Sequence, residues 1–334
     1  MELVMKRVII SSLFVLIATY IVLSLRTVPG YSVLSPLSNK YWKIQSIDTM
    51  KYSRDPSREK LNDSSFNLVI DKQMADIART GANYVAIGTP YDDEFLPILH
   101  RWVNAARKYH LHIWFRGNFS GWEGWFDYPR IDRQTHIAMT KSFIAKNEDL
   151  FQDGDLFSSC PECENGSTIQ TGNPVWVADY RAFLIEEYQT TKDGFFAINK
   201  KVASNYFSMN GDVARAVMDK PTTASLDGMV VVDHYVASPK DLADNLRSIA
   251  EQSGGQVMLG EFGAPIPDIH GNMTDDEQKQ WIAEALKQLS QVPQVIGVNY
   301  WVNVGGSTAL WDDSGKAKPA VGAISAYYSS HKIF

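Results

Sequence analysis

Glu261, Glu162 and Glu164 are the residues of this 334-residue chain best placed to do chemistry. Glu261 closes an apolar run, Val257-Met-Leu-Gly-Glu261, where a buried strand should be meeting solvent. An ionised carboxylate seldom stays in such a place without a partner or a task. Glu162 and Glu164 follow a second run, Asp155-Leu-Phe-Ser-Ser-Cys-Pro161. Carboxyl groups delivered by separate strands to one cleft can divide the work of general acid and of nucleophile or base. Such delivery needs strands that end side by side. A salt-bridged, structural Glu261 is the plain alternative.

Strand-length apolar runs alternate with helical patterns from Tyr41 onward. Strands are expected at Lys43–Asp48, Tyr84–Gly88, Leu111–Arg116, Asp155–Pro161, Val202–Ser208, Met229–His234, Val257–Glu261 and Val295–Trp301. The first helix, Leu68–Thr80, sets Ile70, Met74 and Ile77 on one face and stops at Gly81. Further helices are expected at Glu94–Tyr109, Gln134–Asn147, Val175–Thr191, Gly211–Met218, Pro239–Gln252, Thr274–Leu289 and Lys318–Ser330. Thr274-Asp-Asp-Glu277 has the form of a capping box. Eight such alternations over about 300 residues predict an α/β fold, a (β/α)8 TIM barrel. A doubly wound open sheet is the rival, but the first strand is not followed by a glycine-rich nucleotide fingerprint.

In a barrel, the residues after each strand converge on one site. Here they are polar and aromatic. Arg116, Asn118, Trp122 and Trp125 follow the third strand, and Asn210 the fifth. His234 and Tyr235 follow the sixth, and Trp301 the eighth. A carboxyl pair ringed by Trp and Tyr suits cleavage of a glycosidic bond. One carboxyl protonates the leaving oxygen while the other attacks or stabilises the anomeric carbon, and aromatic faces stack on sugar rings. Arg116 is expected either to bind a hydroxyl or to hold Glu261 ionised. Trp122 and Trp125, in Gly121-Trp-Glu-Gly-Trp125, are expected as sugar platforms, with Glu123 between them a solvated loop charge. His110-Leu-His112 has metal-site spacing, but it enters the third strand rather than ending the first, so a structural or surface role is expected.

These residues resemble clan A glycoside hydrolases, such as the family 5 cellulases and mannanases. Gly260-Glu-Phe-Gly263 is similar to that clan's nucleophile motif at the end of strand seven. His234-Tyr235 resembles its His/Tyr pair after strand six, and Trp301 its aromatic after strand eight. The run from Ala309 to Pro319 is similar to its final loop. The departure is at strand four, where Pro161-Glu-Cys-Glu-Asn165 replaces the clan's Asn-Glu-Pro. Residues two apart on a strand share a face, so Glu162 and Glu164 both stand as the acid/base, Glu162 being nearer the apolar run. The Asn that binds the sugar 2-hydroxyl is missing, leaving Asn210 or Asn165 to substitute. The resemblance implies a retaining hydrolase of a β-linked oligo- or polysaccharide, with Glu261 as nucleophile, Tyr235 orienting it, and no metal or organic cofactor. Two other readings are a glycan-binding protein on a degenerate barrel and a transglycosylase of cell-surface glycan.

Ahead of the barrel, Lys6-Arg7 precede an uncharged run, Val8–Leu25, closed by Arg26. Its length is at the lower edge of a membrane-spanning helix, roughly 17–25 residues. Positive charge before it predicts a cytoplasmic N-terminus and an exported remainder, with a cleaved signal peptide as the competitor. The expected organisation is an anchor over residues 1–26, a linker over 27–38 and the barrel over 39–334. The net charge of −6, with no basic cluster beyond Lys6-Arg7, argues against nucleic acid as a partner. A monomer is expected. Cys160 and Cys163 are too few for a four-ligand zinc site. A disulfide between them suits an exported protein, but only if the chain turns at Pro161, since a strand would hold their α-carbons roughly 10 Å apart.

Overall fold

The eight strand–helix alternations are all present in the computed structural model, which describes residues 42–331. The apolar run Val8–Leu25 and the linker lie outside the described residues. Among the described residues no helix is long and apolar enough to cross a membrane.

The strands are β1 (Ile44–Asp48), β2 (Tyr84–Ile87), β3 (His112–Phe115), β4 (Leu156–Phe157), β5 (Ser208–Asn210), β6 (Met229–Asp233), β7 (Gln256–Phe262) and β8 (Val295–Tyr300). Each is followed by a principal helix: α1 (Phe66–Arg79), α2 (Leu96–Lys108), α3 (Arg133–Lys146), α4 (Pro174–Ala197), α5 (Gly211–Val217), α6 (Pro239–Ser253), α7 (Asp275–Leu289) and α8 (Pro319–Ser330). Thr274 and Glu277 form the expected capping box at the start of α7. Neighbouring strands pair in parallel in the order β4-β3-β2-β1-β8-β7-β6-β5. The two ends meet through a bridge between Leu156 and Ala203, with the Ala203 amide donating to Asp155 O at 3.0 Å. That closure makes a (β/α)8 barrel, with all strand C-termini at one mouth.

Two strands differ from expectation at that closure. The fourth ends at Phe157 rather than Pro161, because the chain turns where the Ser158 hydroxyl donates to Tyr206 O. The fifth is Ser208–Asn210, so the expected Val202–Ser208 shares only Ser208 with it and otherwise contributes the Ala203 bridge. Polar side chains draw this segment off the ladder: Ser204 accepts from the Thr191 hydroxyl on α4, and Asn205 donates to Leu226 O.

Period-two alternation builds the barrel interior in layers. Ile44, Trp114, Leu156, Met229, Val231, Met258 and Ile296 form an apolar plug inside it. One step further along the same inward faces stand Ser46 and Asp48, Arg116 and Asp233, all buried. The outward faces pack against the helices in a separate, larger core containing Ile47, Phe115, Val232, Leu259 and Phe262.

A bulge brings Glu261 inside. Val232 pairs with Leu259, but the next pair is Asp233 with Glu261, leaving Gly260 as an extra residue. Met258 faces the interior and Leu259 the helices, so strict alternation would send Glu261 outward; the extra residue re-aims it toward the mouth. Gly260 has no room for a side chain, since a Cβ there would strike Asp233 Oδ1 and stand 2.9 Å from Val231 Cγ1. Gly260→Ala is therefore expected to destabilise the fold by about 1–3 kcal/mol. Urea unfolding reads this directly, and an unchanged midpoint would show that the bulge has slack.

Candidate active site

Arg116 is the fixed point of the barrel mouth. Its guanidinium is almost fully buried, and it donates to Asp48 Oδ2 at 2.9 Å and to Asp233 Oδ2 at 3.1 Å. It also meets Glu261 Oε1 at 3.0 Å and donates to the Ser208 hydroxyl at 2.9 Å. Asn299 braces the arrangement, donating to Asp48 Oδ2 at 3.1 Å and to Gly260 O at 2.9 Å. The other oxygen of Glu261 accepts from the Tyr235 hydroxyl at 2.9 Å. The nucleophile candidate is thus held from both sides by donors.

One cation faces three carboxyl groups, so the cluster cannot carry all three ionised without a net buried charge. Burial raises Asp233 well above the ordinary carboxyl range, against the pull of Arg116. Burial also raises Glu261, to about 7, with Arg116 opposing and the charges of Asp48 and Glu162 adding. Asp233 has almost no solvent contact, while the Glu261 side chain keeps 14% of its surface and two donors. Asp233 is therefore the better proton holder, and Glu261 the first to ionise. On Arg116 itself burial acts to lower the pKa, but Asp233, Glu261 and Asp48 outweigh it and the pKa rises.

Above this cluster opens a cleft of about 400 Å³, whose walls include Glu123, Trp125, Glu162, Glu261 and Trp301. Glu162 sits at the turn after β4, where its Oε2 accepts from Asn165 Nδ2 at 3.1 Å. The half-buried rings of Trp125 and Trp301 lie on this cleft, and the Arg54 guanidinium stands 5.2 Å from the Trp125 ring centre. Trp301 meets Tyr235 edge to face at 6.1 Å.

Other predicted residues lie elsewhere. Glu164 is fully buried, accepting from the Asn210 amide at 2.8 Å and the Tyr180 hydroxyl at 3.0 Å. Asn210 faces solvent but also donates its side chain to Glu164 at 3.3 Å, so it is engaged there. Trp122 is not a platform: it is 6% exposed, stacks on Phe183 and donates to Cys163 O at 3.1 Å. Buried Asn118 is tied to His136 at 3.0 Å behind the wall. His234 is turned aside, with Nε2 3.1 Å from Asn245 Nδ2, and burial followed by Arg215 lowers its pKa. His112 lies at the other end of β3, half-exposed beside Tyr84.

Glu123 is no solvated loop charge. It is half-buried on the cleft wall, accepting from Asn118 Nδ2 at 3.4 Å. Burial, helped by the nearby Glu162, raises it to about 7. Asp233 and Asn299 were also missed in the sequence, although Met229-Val-Val-Val-Asp233 places Asp233 on the inward face by simple alternation. Among the described residues no group of three or more His, Cys, Asp or Glu side chains is arranged to hold a metal ion.

No protein-family model and no curated protein matches the chain. Solved structures share its fold. A GH5_18 from Bifidobacterium longum subsp. infantis aligns over 87% of this chain and 80% of its own length, with a TM-score of 0.63 and 14% identity. A GH5_18 from Streptomyces cattleya, in complex with Manb1-4GlcNAc, aligns over 86% and 79%, with a TM-score of 0.62 and 13% identity. The β-D-glucuronidase of Dictyoglomus thermophilum aligns over 86% of this chain and 50% of its own, with a TM-score of 0.55 and 15% identity. At these identities the likeness establishes the barrel fold.

The raised carboxyls tie stability to pH. A group whose folded pKa exceeds its unfolded one stabilises the fold fully below the unfolded value and loses that contribution as pH rises through the folded value. For Glu123 and Glu261 the window runs from the ordinary carboxyl range to about 7. The urea midpoint is expected to fall between pH 5 and pH 8, and Glu123→Gln should flatten part of that slope.

Proposed function

We propose that the protein is a retaining glycoside hydrolase acting on a β-linked oligo- or polysaccharide. The observation that carries this reading is the pairing of Glu261, gripped by Arg116 and Tyr235, with Glu162 on the wall of the same tryptophan-lined cleft. Glu261 attacks the anomeric carbon while Glu162 gives its proton to the departing oxygen; Glu162 then takes a proton from the water that releases the sugar. Glu162 is preferred over Glu164 because Glu164 is sealed inside, hydrogen-bonded to Tyr180 and Asn210. Trp125 and Trp301 supply faces for sugar rings.

Structural likeness to clan A barrels, one of them solved with Manb1-4GlcNAc, supports a β-linked pyranoside as the substrate class. The run Val8–Leu25 supports export with the barrel held outside the cytoplasm, where a disulfide persists.

Glu261→Gln is expected to abolish cleavage of every β-glycan that the wild type cuts. Glu162→Gln should lower kcat by about 10²–10⁴ on substrates with poor leaving groups. Product analysis by proton NMR should show retained anomeric configuration at first release. Inverted product, or full activity in Glu261→Gln, would sink the assignment. Because Glu261 must be ionised to attack, kcat/KM should fall as pH drops through about 7.

A further inference from the structure

We infer that the disulfide between Cys160 and Cys163 is a positioning device for Glu162, selecting which of two neighbouring glutamates faces the cleft; this rests on the hydrolase reading above. The two half-cystines bracket Pro161-Glu162, and their α-carbons are 5.1 Å apart. An extended strand would hold them roughly 10 Å apart, so the crosslink and an extended conformation of this segment exclude one another. On an extended strand Glu162 and Glu164 would point the same way. In the crosslinked loop they do not: Glu162 lines the cleft, while Glu164 turns inward to Tyr180 and the Asn210 amide.

The divergence is made at Glu162 itself, whose backbone is left-handed, with φ 46° and ψ 48°. Residues other than glycine rarely adopt this conformation, and it persists where the surroundings over-determine it. Here the Glu162 amide donates to Ser208 O at 2.8 Å, and the Asn165 amide donates to Glu162 O at 2.9 Å. On the far side Trp122 Nε1 donates to Cys163 O at 3.1 Å, and Asn118 Nδ2 lies 3.6 Å from Cys160 Sγ. Both half-cystines are buried in the hydrophobic core, so each end of the crosslinked turn is packed in place. Removing it frees Pro161-Glu162 to extend, which withdraws the acid/base while leaving Arg116, Tyr235 and Glu261 in place.

The test compares the wild type with the double variant Cys160→Ser/Cys163→Ser on 2,4-dinitrophenyl and phenyl β-glucosides and β-mannosides. The dinitrophenolate departs with little protonic help, whereas the phenolate needs Glu162. The expected result is a loss of about 10²-fold in kcat/KM on the phenyl glycoside. On the dinitrophenyl glycoside the loss should be under threefold, with azide restoring turnover by capturing the glycosyl-enzyme. Thermal melting followed by circular dichroism reports folding. If the variant does not fold, wild type treated with dithiothreitol under native conditions gives the same comparison. There the disulfide is reduced to two thiols and the dithiol becomes its cyclic disulfide. Equal losses on both leaving groups, or none on either, overturn the positioning role while leaving the hydrolase reading intact. A wild type inert on all four glycosides overturns the hydrolase reading, and the positioning role with it.

Discussion

A single buried guanidinium organises the barrel mouth. Arg116 cannot shed its proton, and removing it from water is tolerable only because Asp48, Asp233 and Glu261 surround it. Those side chains come from β1, β6 and β7, so the one residue that follows β3 ties together strands from opposite parts of the sheet. Asn299 on β8 and Ser208 on β5 complete the ring of partners. The geometry of Glu261 is therefore a property of the closed barrel as well as of the bulge in its own strand. The excess of carboxyl groups over cations also favours the proton on the buried aspartates, both of which burial raises, over the more exposed Glu261.

The acid/base side is built on a different principle. Among the described residues no cation grips Glu162 as Arg116 grips Glu261; it is placed by backbone. Beneath its loop lies an aromatic layer in which Trp122 stacks on Phe183 and meets His136 edge to face. His136 in turn contacts Glu187 and Asn118. The layer is buried, and Trp122 belongs to it. Of the two tryptophans in Gly121-Trp-Glu-Gly-Trp125, one supports the wall and the other is the wall.

That division explains what the sequence could and could not disclose. Strand-length runs, helix stops and the capping box are local signals, and the eight alternations followed from them. Glu261, Arg116, Trp125 and Trp301 were legible because each ends or follows a strand whose hydrophobic run is clear. Asp233 is equally legible by alternation with Met229 and Val231, but a strand carried on to His234 puts a different residue at its end. Glu162 and Glu164 were not separable, since a left-handed residue reverses the face rule that relates them. Glu123 was misread for a similar reason: Gly124 and Phe126 adopt positive φ and fold the loop back onto the cleft. Trp122 and Trp125 differ only in what packs against them, and that is a property of α3 and α4.

The closure between β4 and β5 carries a consequence for motion. Seven of the eight neighbouring strand pairs are joined by ladders; the last is held by the Leu156–Ala203 bridge and by Ser158 reaching Tyr206. The acid/base loop spans this seam, since Glu162 donates across it to Ser208. Local opening costs least where few backbone bonds must break together, so the barrel should breathe along one meridian. Amides at Phe157 and Ala203 would then exchange with solvent sooner than those of β7 and β8. The two catalytic candidates thus stand on ground of unequal stiffness: one on the clamped side of the cylinder, the other on its hinge line.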